Sequence, residues 1–124
     1  MARLLKQADA KRLGLPGRVS LEPVSGEIGS RVTFRIATVA VAKPDDKPRG
    51  PHVHHGFEEC IYVLSGEGVT VAESGEIPIK PGDIVLIPGN EKHMTRNTGT
   101  EPLVLLCFFA VPDVTADTTE FASF

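Results

Sequence analysis

The chain has 124 residues, 41% of them hydrophobic, which is enough for one domain with one core and too little for two. Its formal net charge of -3, with Lys and Arg scattered along the chain, gives no electrostatic reason to expect a nucleic-acid partner. No apolar stretch is long enough to cross a bilayer, so no membrane partner is expected either.

Met1 to Leu5 opens with a charge, and Lys6, Gln7 and Asp9 come next without an apolar run, so an export signal is not expected and the chain reads as cytoplasmic. In that compartment Cys60 and Cys107 read as two reduced core thiols rather than a disulfide. Two cysteines alone are also too few for a thiolate zinc site. Residues 3 to 13 carry a weak apolar pattern that reads as a short helix stopped by Gly14, within an arm over residues 1–30 that belongs to the same unit as the rest of the chain.

From there the pattern is β. Ten prolines and twelve glycines argue against long helices. Arg31 to Ala42 alternates and then turns mostly apolar, a strand with one well-buried end. Lys43 to Pro51 is a charged, proline-rich loop. Cys60 to Leu64 reads as a strand, Ser65-Gly66-Glu67-Gly68 as a hairpin turn, and Val69 to Ala72 as the returning strand, with another turn at Ser74-Gly75. Lys80-Pro81-Gly82-Asp83 has the chemistry of a type II turn, Ile84 to Ile87 is a short strand, and Ile87-Pro88-Gly89-Asn90 repeats the turn chemistry. Leu103 to Val111 reads as a strand buried on both faces, with Phe108 and Phe109 in the core, and residues 113–124 as a polar tail. Short strands at close spacing imply an all-β sandwich or barrel over residues 31–112.

All four histidines lie in two places, at 52, 54 and 55 and at 93. Residues two apart on a strand share a face, so His52 and His54 can converge on one ion while His55 points away. Gly56 lets the chain turn, and Glu58 or Glu59 at the next strand can return a carboxylate to the same ion. His93 comes after the Pro88-Gly89 turn on a later strand. Three imidazoles and one carboxylate suit a single divalent iron, manganese, zinc, nickel or copper ion, and the ligand types do not choose among them. If the strand leaving Glu59 is regular, Glu59, Ile61 and Val63 face inward, and Cys60 and Tyr62 face another layer or a neighbouring subunit.

At these residues the chain resembles the cupin superfamily, specifically its small single-domain bacterial members. The family's first motif is G-x5-H-x-H-x(3,4)-E-x6-G, and from His52 the chain reads H-V-H-H-G-F-E-E-C-I-Y-V-L-S-G. His52 and His54 match the pair, and of the two glutamates only Glu59 leaves six residues before Gly66. The second motif is G-x5-P-x-G-x2-H-x3-N. Gly82, Pro88, His93 and Asn97 fall in its register. Asp46 stands at the first motif's opening glycine and Asn90 at the second's inner glycine, where asparagine tolerates left-handed backbone.

The resemblance implies a double-stranded β-helix (jelly-roll) barrel of two antiparallel sheets, a metal held by His52, His54, Glu59 and His93, and a homodimer paired through edge strands. It also implies a metalloenzyme of the dioxygenase, decarboxylase, isomerase or lyase kind, acting on a small oxygen-bearing molecule that includes carboxylates. A non-catalytic module that binds or senses a small molecule, and a structural barrel with a vestigial site, stand as alternatives. Arg35, His55 and Asn97 are the candidates for contacting a ligand or supporting the metal ligands. Beside that stand plainer readings: His55 and Glu58 as solvated loop residues, Asn97 as a brace of the turn or sheet, and Arg31 and Arg35 as solvated arginines on one strand face.

Overall fold

The computed structural model describes residues 1–47 and 49–124, so Pro48, within the loop expected over Lys43 to Pro51, lies outside the described residues. Eleven strands form among the described residues: β1 (Lys11–Leu15), β2 (Arg18–Val24), β3 (Thr33–Val39), β4 (His52–His54), β5 (Glu59–Ser65), β6 (Gly68–Ala72), β7 (Gly75–Ile79), β8 (Ile84–Ile87), β9 (His93–Asn97), β10 (Leu103–Phe109) and β11 (Thr118–Glu120). Six of them make one antiparallel sheet in the order β1-β2-β3-β10-β5-β8, and five make the other, β11-β4-β9-β6-β7. The two sheets face each other as the expected cupin-type jelly roll. Alternate residues of β3, β5 and β10 line the space between them, with Val63, Leu103, Leu105 and Phe109 almost fully buried. Each such side chain contributes on the order of 1.5–3 kcal/mol by leaving water.

Several expectations are corrected. Residues 3 to 13 do not form a helix: a single 3-10 turn spans Gln7–Asp9, and β1 then pairs with β2 from Lys11↔Glu22 to Leu15↔Arg18. The reason is the Pro16-Gly17 pair, which closes a two-residue hairpin with Gly17 at φ 70, so the alternation Leu13, Leu15 wins over a weak helical period. Ser65–Gly68 does not close a hairpin. β5 pairs with β10 and β8, whereas β6 pairs with β7 and β9, so these four residues carry the chain from one sheet to the other. Gly66, at φ 84, lies against the backbone of Pro102 and Leu103, where a Cβ has no room.

The strand expected over Leu103 to Val111 is buried on one face only. Leu103, Leu105, Cys107 and Phe109 point inward, and Phe108 stands 43% exposed on the outer face rather than in the core. The Lys80–Asp83 turn forms as expected, with Gly82 at φ 91 and the Asp83 amide donating to the Lys80 carbonyl. In the next turn the left-handed residue is Asn90, at φ 70, and not Gly89. Asparagine tolerates that backbone through its short polar side chain. Cys60 and Cys107 are free thiols. No helix among the described residues is long and apolar enough to cross a membrane.

Candidate metal centre

Strand pairing builds the site. β4 meets β9 with His52 directly opposite His93, so two imidazoles from neighbouring strands stand side by side, their ring centroids 4.3 Å apart. His54, two residues along β4, shares their face, its ring 4.9 Å from that of His52. Glu59 opens β5 in the opposite sheet and projects across the barrel. One ligand-capable atom from each of His52, His54, Glu59 and His93 lies within 4.8 Å of the others, and all four residues are buried. The turn that brings Glu59 round is fixed by Asn90, whose amide donates to the His54 carbonyl and whose Oδ1 accepts from the Gly56 amide. Gly56 itself sits at φ 83.

The hydrogen bonds behind the rings set where their protons sit. His93 Nδ1 lies 2.9 Å from the Glu91 carbonyl, which can only accept, so Nδ1 carries the proton. Thr118 Oγ1 donates to the Val114 carbonyl at 2.6 Å and therefore accepts from His54 Nδ1 at 2.8 Å. In both rings the Nε2 lone pair is left facing the centre, where each Nε2 lies 3.0–3.1 Å from Glu59 Oε1. Lone pairs that converge on a carboxylate oxygen need a cation or a further proton between them. A divalent metal fits this donor set, because neutral imidazole and carboxylate are the forms that bind it.

The electrostatics agree. Burial alone would raise the Glu59 carboxyl, but the imidazoles of His54 and His93 outweigh it and hold it well below the usual range. Burial tends to lower His93, yet its hydrogen bond to Glu59 and the Glu59 charge prevail and raise it. His52 is pulled down to about 2 by burial, with His93 and Arg18 adding to the effect, and so stays neutral and available as a ligand.

A cavity of about 40 Å³ opens from the cluster, walled by Ile61, Leu105, Cys107 and Phe109 and by three arginines, Arg18, Arg35 and Arg49. Arg35 reaches the barrel interior rather than solvent, but its Nε is bound to Glu22 at 2.7 Å. His55 lies outside the cluster, exposed, with Nε2 2.8 Å from Thr119 Oγ1. Glu58 is also exposed. Asn97 is buried and bonded to backbone groups rather than to the cavity. Sequence reasoning missed Arg18 and Arg49, which lie outside the two motifs. The one local signal for them was the Pro16-Gly17 hairpin, which places Arg18 at the head of β2.

A family model described as "Cupin domain" matches residues 38–109. Among curated proteins, the chain is similar to an oxalate-binding protein of Thermotoga maritima, 38% identical over 63 residues that cover 51% of this chain and 52% of that one. It is also similar to an L-ectoine synthase of Vibrio atlanticus, 32% identical over 82 residues that cover 64% of this chain and 59% of that one. The matched stretches thus span roughly half the length of these relatives. Among solved structures, the oxalate decarboxylase of Lactobacillus farciminis, as its formate complex, superposes with a TM-score of 0.75 at 21% identity, covering 92% of this chain and 34% of the other. That last likeness bears on the fold alone.

Proposed function

This chain belongs to the cupin family, and from that premise we propose a metal-dependent enzyme that acts on a small oxygen-bearing molecule, with His52, His54, Glu59 and His93 as the metal ligands. One observation carries the reading: in two of the three rings the hydrogen bonds hold a proton on Nδ1 and turn Nε2 toward a buried carboxylate, the orientation in which three imidazoles and a carboxylate hold one ion. A divalent ion bound there supplies Lewis-acid polarisation of a ligand oxygen. The chain's own part is to orient the imidazoles through Thr118 and Glu91, to keep Glu59 ionised, and to exclude bulk water with Ile61, Phe57 and Phe109. The name of the oxalate-binding relative favours a small carboxylate ligand. The second reading, a binding module without turnover, is favoured by the relative named as an oxalate-binding protein.

The test is elemental analysis of protein purified without chelator or histidine tag. About one equivalent of transition metal per chain is expected from one such ligand set. Metal affinity should fall as the pH drops. Protons compete for His93, whose raised value puts the onset above the ordinary histidine value of about 6.5. His52 adds no competition until near its own depressed value of about 2. An affinity that stays flat between about pH 8 and about pH 5, a window spanning that ordinary value, rules these ligands out.

The proposal includes a homodimer. The outer face of β5, β8 and β10 carries Tyr62, Leu64, Ile84, Leu86 and Phe108, with Ile84 68% and Leu86 59% exposed. No charged residue alternates onto it from these strands. Exposed apolar faces of this kind mark interfaces, and charge is depleted at interface centres. A second copy would cover the face with an identical apolar one. Sedimentation should give a dimer for the wild type and a monomer for Leu86→Asp; a monomeric wild type refutes it.

A further inference from the structure

The metal cavity cannot hold a whole substrate. Its volume of about 40 Å³ has room for a few water-sized groups, whereas small-molecule sites usually run to roughly 300–1,000 Å³, so a ligand bound at the ion must extend out of it. A groove of about 890 Å³ lies against the cavity, and Arg18, Val39, Arg49 and Thr95 line both spaces. Val39 ends β3 in one sheet and Thr95 sits in β9 of the other, so the groove opens where the two sheets meet. Val39 and Thr95 are held in their ladders, opposite Leu103 and Thr70, and Arg18 is paired with Glu120. Arg49 comes from the loop between β3 and β4, and its side chain donates to the Pro16 and Thr95 carbonyls. It is the member of this wall that can swing aside.

The groove is lined differently from the cavity. On β6 and β9 the residues that alternate with the buried Thr70, His93 and Thr95 point away from the metal centre. Two of them, Val71 and Met94, are cross-strand partners and form the groove floor. Val41, on the segment leaving β3, and Leu15 and Val19, on the first hairpin, complete an apolar surface. All five side chains are only half-buried, so a ligand that covers them removes apolar area from water. At the rim Lys47 and Arg49 stand against Asp46, a net basic balance that draws an anion in. Apolar walls behind a basic rim suit an alkyl or aryl body that follows an anionic head.

We propose that the ligand of this centre is an amphipathic oxyacid: its oxygen-bearing head reaches the ion held by His52, His54, Glu59 and His93, and its apolar body passes Arg49 and lies in the groove against Val41, Val71 and Met94. This rests on the metal-centre reading and goes further by naming the class of group behind the head. Selectivity among oxyacids then falls on residues outside the four ligands. Each methylene that the groove covers fully is worth about fourfold in affinity, and partial cover is worth less.

The test is calorimetry on cobalt(II)-loaded protein with pyruvate and 2-oxooctanoate, which share a chelating 2-oxo-acid head and differ by a hydrocarbon chain. The wild type should bind 2-oxooctanoate tighter by roughly thirtyfold or more, as expected for an added chain that is partly covered. Val71→Asp should cut that preference by about fivefold or more, because it sets a charge on the groove floor, while pyruvate affinity and the cobalt visible spectrum stay as in the wild type. Val41→Asp should act in the same direction from a loop, where no strand has to tolerate the charge. A wild type without preference, a preference for 2-oxoglutarate over 2-oxooctanoate, or a preference that survives both substitutions overturns the proposal while leaving the metal centre standing. Failure of the wild type to take up cobalt overturns both.

Discussion

Glu59→Ala is expected to weaken metal binding by at least a hundredfold, and His93→Ala by a similar factor, because each removes one of four convergent ligands. Glu59 matters most. It is the one anion in the cluster, and its Oε1 is shared by His54 and His93. Thr118→Val should produce an intermediate loss, on the order of tenfold to a hundredfold, the usual cost of losing a partner behind a ligating histidine. That partner fixes the proton on His54 Nδ1 without touching the ion. His55→Ala should leave uptake unchanged, since that ring is exposed and bonds to Thr119. Cobalt titration followed by calorimetry ranks these four variants and His52→Ala. If His55→Ala strips the metal while His52→Ala does not, the ligand register is wrong.

The candidate ligand set, with His55 outside it, was legible in the sequence because the relevant information is local, whereas the support from Thr118 was not. His52 and His54 share a face by strand parity, and the Glu59 to Gly66 and Gly82 to Asn97 spacings hold the motif residues in register. The inward set Glu59, Ile61, Val63 obeys the same two-residue period, and the structure buries all three. What escaped depends on pairing between distant strands. The Ser65–Gly68 segment has hairpin chemistry, yet an arch between sheets uses the same glycines, and only the pairing of β5 with β10 separates the two cases. Leu103 to Val111 is apolar throughout, so its composition hides which face meets the core. Arg18 and Arg49 reach the cavity from a hairpin strand and from a loop, where no periodicity announces the direction of a side chain. Arg35 carried two readings, a solvated arginine or one reaching into the barrel, and what decides between them is its partner Glu22 on β2, a strand whose bounds were not read from the sequence.

Asn97 illustrates the same division, and its substitution is expected to have the largest effect on stability. Its place in the second motif was readable, whereas its job rests on three distant backbone groups. Nδ2 donates to the Val39 carbonyl at 3.0 Å and to the Glu101 carbonyl at 2.9 Å, and Oδ1 accepts from the Gly99 amide at 2.8 Å. One buried side chain therefore ties the end of β3 to the turn between β9 and β10. Asn97→Ala should cost about 3 kcal/mol, from net bond losses near 1 kcal/mol each and from buried backbone groups left unpaired. For a domain of this size that is a fall in Tm of roughly 10 °C. Asn97→Asp should be worse than alanine. It keeps the acceptor for Gly99 but turns a buried carboxylate oxygen toward two carbonyls, which repel it. Urea denaturation of metal-free protein measures both variants, and cobalt titration of the folded fraction should still give one site per chain, as for the wild type. An Asn97→Asp protein as stable as the wild type would show that these three contacts do not hold the turn.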